Sequence, residues 1–175
     1  EIIDPLEGQK DIERKSIRTT SSYSLKSDPL RMLRAFRFAA TLKFTIYEKT
    51  LKEISINKED IAVIAKERVW QEFFSFFSSS NTGELISAMK ETGLLLCLLP
   101  YPFHDWEKMS IHYNRLEHIL LNMDSYFPGR NNNLPEKALI KLALLLKEID
   151  SNPLEKTNKK YLGLPNTYEF LKSLK

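Results

Sequence analysis

The chain has 175 residues and 20.4 kDa, with 42% apolar and 28% charged residues. That is globular composition, and it excludes a low-complexity or collagen-like chain. Twenty-six Lys+Arg against 23 Asp+Glu leave +3, a mildly basic balance that suits an anionic partner without requiring one. No apolar run approaches the ~20 residues that a membrane-spanning helix needs. None of the five glycines opens a GxGxxG or Walker-type phosphate loop. The single cysteine, Cys97, lies inside the apolar run 94–99. It excludes an internal disulfide framework and a cysteine zinc site, and reads as a small core hydrophobe. With no secretory segment in view, a cytoplasmic location is expected. The first residue is Glu1 rather than Met, which suggests a piece of a longer chain.

In chain order, the β-leaning stretches are 1–5 and 15–20, with a turn-rich segment at 7–11 between them. Two such strands are marginal alone, so the segment is expected to be the edge of a sheet whose other strands lie elsewhere. The period then becomes helical. Asp28-Pro29 predicts a helix start, with Asp28 as cap and Pro29 at the first helical position, running to Leu42. A short helix is predicted over 48–54, a segment capped by Asn57 through Ala65, and a longer helix over 66–77. The run Ser78-Ser79-Ser80-Asn81 is the best internal boundary. Beyond it, helices are predicted over 84–91, 108–126 and 136–149, with an apolar turn over 94–99 before Pro100 and a last helix after Pro165-Asn166. The class is mainly α: a multi-helical neck and body with a short β segment at the N-terminus.

The informative element is Asp28-Pro29-Leu30-Arg31-Met32-Leu33-Arg34-Ala35-Phe36-Arg37-Phe38-Ala39-Ala40. At about 100° per residue, Arg31, Arg34 and Arg37 share an arc of roughly 120°. Most of the remaining circumference is apolar, so the helix is packed on more than one side. The positions four residues from each arginine carry no acid, which removes local i,i+4 pairing. A partly buried guanidinium without an anion is costly. The stripe must therefore meet acids from another element, for instance Glu67 or Glu72, or phosphate. From Lys10 to Lys43 nine basic residues face three acids, an excess of +6 against +3 for the whole chain.

Three blocks together resemble the class II tRNA nucleotidyltransferase/poly(A) polymerase family, the CCA-adding enzymes. Asp4-Pro5-Leu6-Glu7-Gly8-Gln9-Lys10-Asp11-Ile12 with Ile17-Arg18 is similar to the family's third motif. Residues 27–42 look like its nucleotide-selecting motif, and Glu67-Arg68-Val69-Trp70-Gln71-Glu72-Phe73 resembles the motif that follows. Two positions depart from the pattern: Glu7 stands where the family has a glycine in the turn, and Ser27 where it has an acid that helps hold the site.

The resemblance implies roles. Asp28 accepts and Arg31 donates hydrogen bonds, and side by side they complement an amino group next to a ring-nitrogen acceptor. Cytosine and adenine present that edge; guanine and uracil present the reverse. Arg34 and Arg37 would face nucleotide phosphates or orient Asp28, Glu67 and Arg68 would brace the helix, and Arg18 is carried over as a supporting residue. The implied organisation is a head edge over 1–22, a nucleotide-selecting neck over 23–80, and a helical body over 81–175. The implied partners are RNA, above all a tRNA 3′ end, and ATP or CTP, with no membrane. Whether C, A or both are added stays open.

The family's magnesium-holding Asp-x-Asp pair and Gly-Ser segment have no counterpart. The aspartates are Asp4, Asp11, Asp28, Asp60, Asp105, Asp124 and Asp150, no two of them two apart, and no Gly-Ser dipeptide occurs. Mg2+ is thus implied for the parent enzyme through carboxylates outside this chain. Within it no catalytic residue and no metal ligand is expected, and the chain alone is expected to be inactive. Residues 111–118 and 142–150 also resemble the scaffold of an HD-type phosphohydrolase, with His118 at the first ligand position. The expected His-Asp pair is Lys147-Glu148, and an ammonium cannot ligate a metal. The body is expected to be a degenerate HD-like unit, with His112 and His118 ordinary helix residues and His104 a loop residue. In the resemblance, Lys156, Lys159, Lys160, Lys172 and Lys175 could meet RNA phosphates or form a solvated surface. The alternative reading is a non-catalytic RNA-binding or scaffolding helical module.

Overall fold

A computed structural model describes residues 3–21, 23–99, 105–126 and 134–147. The predicted C-terminal helix, the five C-terminal lysines, His104, Glu148 and Asp150 lie outside these residues. No described helix is long and apolar enough to cross a membrane.

The N-terminal expectation needs correction. Asp4–Leu6 form a turn rather than a strand, and the segment read as turn-rich is a short helix, α1 (Gly8–Glu13). The Asp4 carboxylate accepts from the backbone N–H of Gly8 at 2.8 Å and of Gln9 at 2.9 Å, which satisfies the first donors of α1. Those two donors hold the Asp4 carboxyl below its ordinary range, Gln9 contributing most. Glu7 takes the left-handed conformation, φ 57° and ψ 33°, so the turn forms with a glutamate where the resembled motif has a glycine.

Strand β1 (Ser16–Ile17) pairs in parallel with β2 (Thr45–Ile46), in register Ser16 with Thr45 and Ile17 with Ile46. Its partner therefore comes from inside the chain, 29 residues on, where a two-residue strand carries no period to read.

A short helix α2 (Ser24–Ser27) precedes α3 (Leu30–Leu42). Then come α4 (Glu48–Asn57), a 3-10 turn over 58–63, α5 (Lys66–Ser78), α6 (Gly83–Glu91) and α7 (Leu94–Leu98). The predicted helix 108–126 is split at Asn122 into α8 (Trp106–Leu121) and α9 (Met123–Tyr126), and α10 (Leu134–Lys147) follows. Helix α3 is the hub. It buries Leu30, Met32, Leu33, Ala35, Phe36, Ala39 and Ala40, and its four large side chains contribute about 6–12 kcal/mol as an upper bound. Against it packs the aromatic face of α5, where Phe73, Phe76 and Phe77 meet edge to face.

The core continues past the serine run into α6, α7, α8 and α10. A buried polar knot fastens that junction. Glu117 of α8 accepts from Thr82 N (2.9 Å), Thr82 Oγ1 (2.6 Å), Gly83 N (2.9 Å) and Lys141 Nζ (2.7 Å). Lys141 of α10 also donates to Ser79 O (2.7 Å) and Thr82 Oγ1 (3.1 Å). Thr82 gives its proton to the carboxylate, so the Tyr113 hydroxyl, 2.7 Å away, donates to it. Glu117 thus caps α6 from 35 residues away, in place of a local capping side chain. Burial alone would raise the Glu117 carboxyl; the bonds from Lys141 and Thr82 outweigh it and hold it below the ordinary range. Burial pushes Lys141 down and the Tyr113 hydroxyl up.

Candidate functional site

The site grows from the junction of α2 and α3. Asp28 is extended (φ −147°, ψ 92°), Pro29 turns the chain, and α3 starts at Leu30, one residue later than the spacing predicts. Asp28 Oδ1 accepts from Leu30 N at 3.3 Å, which sets the carboxylate at the positive end of a 13-residue helix. Its Oδ2 lies 3.8 Å from Arg31 Nε. Arg31 therefore has an acid three residues back, an i,i+3 partner that the i,i+4 spacing argument passed over. Arg31 Nη1 donates to Ser24 Oγ at 3.0 Å and to Ser24 O at 3.3 Å. Its Nη2 makes no hydrogen bond among the described residues. Both side chains reach solvent, Asp28 at 27% and Arg31 at 49% exposure. An acceptor and a donor thus lie side by side on one accessible surface.

The rest of the stripe turns the other way. Arg37 Nε donates to Glu72 Oε2 of α5 at 2.5 Å, and Arg34 Nε lies 3.7 Å from Glu72 Oε1. The second distance is too long for a hydrogen bond, and the buried Arg34 Nε is left unbonded. Phe38 lies under both guanidinium groups, 4.0 Å from Arg37 and 5.7 Å from Arg34 to the ring centroid. Of the two alternatives for the stripe, Arg34 and Arg37 meet an acid from another element. That acid is Glu72. Glu67 and Arg68, read as bracing residues, are exposed at the start of α5 and make no bond to α3 among the described residues. Two arginines share one carboxylate, so the face keeps a positive excess.

Arg18 serves the N-terminal turn. Its Nε donates to both Asp11 oxygens at 3.1 Å, and its Nη2 to Asp11 Oδ2 at 2.8 Å and Leu6 O at 2.7 Å. In the C-terminal half, His118 and Lys147 are exposed and His112 is half-buried. Among the described residues no three His, Cys, Asp or Glu side chains gather where they could hold a metal ion. Cys97 is partly buried against the core, and burial raises its thiol. Ser24 escaped the sequence reading because nothing local marks it. The Glu117–Lys141 pair, 24 residues apart, escaped it for the same reason.

Parts of the chain are similar to known proteins. Residues 43–104 match the family described as "Probable RNA and SrmB- binding site of polymerase A". The chain is 42% identical over 102 residues to the "Multifunctional CCA protein" of Neisseria meningitidis serogroup A / serotype 4A (strain DSM 15465 / Z2491), covering 57% of this chain and 24% of that protein. It is 36% identical over 104 residues to the protein of the same name from Aliivibrio salmonicida (strain LFI1238), covering 57% and 25%. Among solved structures it resembles a CCA-adding enzyme with ATP (TM-score 0.70, 21% identity, 98% of this chain and 40% of that one). It also resembles the Thermotoga maritima CCA-adding enzyme complexed with tRNA (TM-score 0.71, 21% identity, 98% and 41%).

The fold is one that CCA-adding enzymes share over part of their length. The family model matches 62 of the 175 residues, and the chain spans about a quarter of the curated relatives it matches.

Proposed function

We propose that this chain supplies base selection and RNA binding to a template-independent nucleotidyltransferase that adds C, A or both to RNA 3′ ends, a tRNA 3′ end above all. The observation that carries the reading is the Asp28–Arg31 pair, with Oδ2 and Nε 3.8 Å apart, both groups accessible and Arg31 Nη2 uncommitted among the described residues. The carboxylate accepts from an exocyclic amino group while the guanidinium beside it donates to the adjacent ring nitrogen. ATP and CTP offer that edge. With GTP or UTP a carbonyl would meet the carboxylate and an N–H the guanidinium, leaving both unpaired, and an unpaired polar group on binding is costly.

The 41% exposure of Arg34 beside the shared Glu72 carboxylate supports it as the arginine that also meets phosphate, with Arg37 keeping Glu72 in place. The match of 43–104 to an RNA-binding description supports the RNA partner. Helix α1 buries no residue, and Leu6 and Ile12 are more than half exposed, which supports the N-terminal segment as the edge of a further unit. Magnesium would activate the 3′-hydroxyl in such a reaction. Following the resemblance, we assign its carboxylates to a catalytic head outside this chain and take the reaction to run in the cytoplasm.

The test is nucleotide addition by the full-length protein with each of the four NTPs, on tRNA and on unrelated RNA ends. ATP, CTP or both should be used, and Arg31→Ala and Asp28→Ala should bring their kcat/KM down to the level of GTP and UTP. Equal use of all four by the unaltered protein would refute the roles of Asp28 and Arg31. RNA binding without any transfer would favour a non-catalytic scaffold.

A further inference from the structure

We propose that Ser24 is a positioning residue for base selection: its hydroxyl anchors Arg31 so that Nε stays beside Asp28 and Nη2 stays available. The inference rests on the proposed reading of Asp28 and Arg31. Hydrogen-bond selection needs its donor in place before the base arrives, because a freely rotating guanidinium can follow either edge. Half-exposed arginines ordinarily rotate, so something must hold this one.

Ser24 is built to do so. It is itself buried, and the next residue, Leu25, sits in the core. Its backbone is pinned by Ser24 N donating to Ser21 O at 3.1 Å and by Ser27 Oγ donating to Ser24 O at 2.9 Å. From that fixed point its hydroxyl and carbonyl both accept from Arg31 Nη1, at 3.0 and 3.3 Å. Among the described residues the Arg31 side chain has two polar partners, Ser24 on one side and Asp28 on the other. The neighbouring position 27 is a serine, so no second carboxylate competes.

The choice of a neutral anchor has a consequence. A carboxylate at that distance would hold Arg31 but also neutralise it and tie up its donors. A serine fixes the geometry and leaves the charge and Nη2 for the ligand.

The experiment compares Ser24→Ala and Ser24→Thr with the unaltered full-length protein in two readouts. One is the rotation rate of the Arg31 guanidinium by NMR of 15N-arginine-labelled protein. The other is kcat and KM for all four NTPs. Rotation should be slow in the unaltered protein and faster in Ser24→Ala. The ratio of kcat/KM for ATP and CTP over GTP and UTP should fall about tenfold, the low end for a hydrogen bond to a charged group, with thermal melting unchanged. Ser24→Thr, which keeps the hydroxyl, should restore both readouts. Fast rotation in the unaltered protein, or released rotation with an unchanged ratio, would overturn the role of Ser24. If Arg31→Ala also keeps the discrimination, the failure belongs to the Asp28–Arg31 reading instead.

Discussion

Replacing Lys141 with Met tests whether the knot at the α5–α6 junction is an ion pair that the fold depends on. Lys141 and Glu117 are 3% and 11% exposed, and Nζ makes three bonds, to Glu117, Ser79 O and Thr82 Oγ1. Met keeps most of the volume and removes the charge. Glu117 then keeps its bonds from Thr82 and Gly83 but loses its counter-charge, and Ser79 O loses its donor. Breaking a buried pair from one side costs about 3–5 kcal/mol. The three surviving donors on Glu117 place the variant near the lower end, about 3 kcal/mol, which for a chain of this length lowers Tm by about 6–12 °C.

The pH dependence separates lost charge from lost packing. In the unaltered protein the Glu117 carboxyl is held down, so its contribution is present above the unfolded value of about 4.3 and is lost as pH falls through the folded value. Without Lys141 the lowering that it causes is lost, while burial still raises the carboxyl and the Thr82 bonds still lower it. The part of the stability that depended on Lys141 is then absent at neutral pH and is no longer there to be lost on acidification. Urea unfolding followed by far-UV circular dichroism at pH 7 and pH 4 should therefore show a difference that shrinks on acidification. A loss below about 1 kcal/mol at pH 7, or an equal loss at both pH values, would refute the reasoning.

Two further outcomes follow from the backbone. At Gly83 an added Cβ would lie 2.0 Å from Asn114 Oδ1 and 3.2 Å from Glu117 Oε2. Gly83→Ala should cost about 1–3 kcal/mol by urea unfolding, and adding Asn114→Ala should recover only part of it, because Glu117 cannot leave its bonds; full recovery would show that the carboxylate has room to move. At Glu7, φ is 57° and, among the described residues, the only side-chain bond is to the exposed Lys10. Glu7→Gly should raise Tm by about 2–4 °C, since glycine adopts that conformation without strain; a lower Tm would mean that the Glu7–Lys10 contact outweighs the backbone term.

The mainly helical class and the positions of most helices follow from the sequence alone, because apolar residues at helical spacing must bury one face wherever the chain goes. The arginine stripe is equally local: the spacing of 31, 34 and 37 puts all three on one arc whatever surrounds it. Asp28 and Arg31 belong together for the same reason, one turn apart at a helix start. Tertiary structure alone decided where the stripe divides. Whether an arginine meets phosphate or carboxylate depends on which helix packs beside it, and α5 brings Glu72 rather than Glu67 within reach. The parallel pairing of Ser16–Ile17 with Thr45–Ile46, the capping of α6 by Glu117 and the anchoring of Arg31 by Ser24 are also decisions of packing. Each joins groups whose separation along the chain carries no periodic signal, so only the folded backbone can show which donor reaches which acceptor.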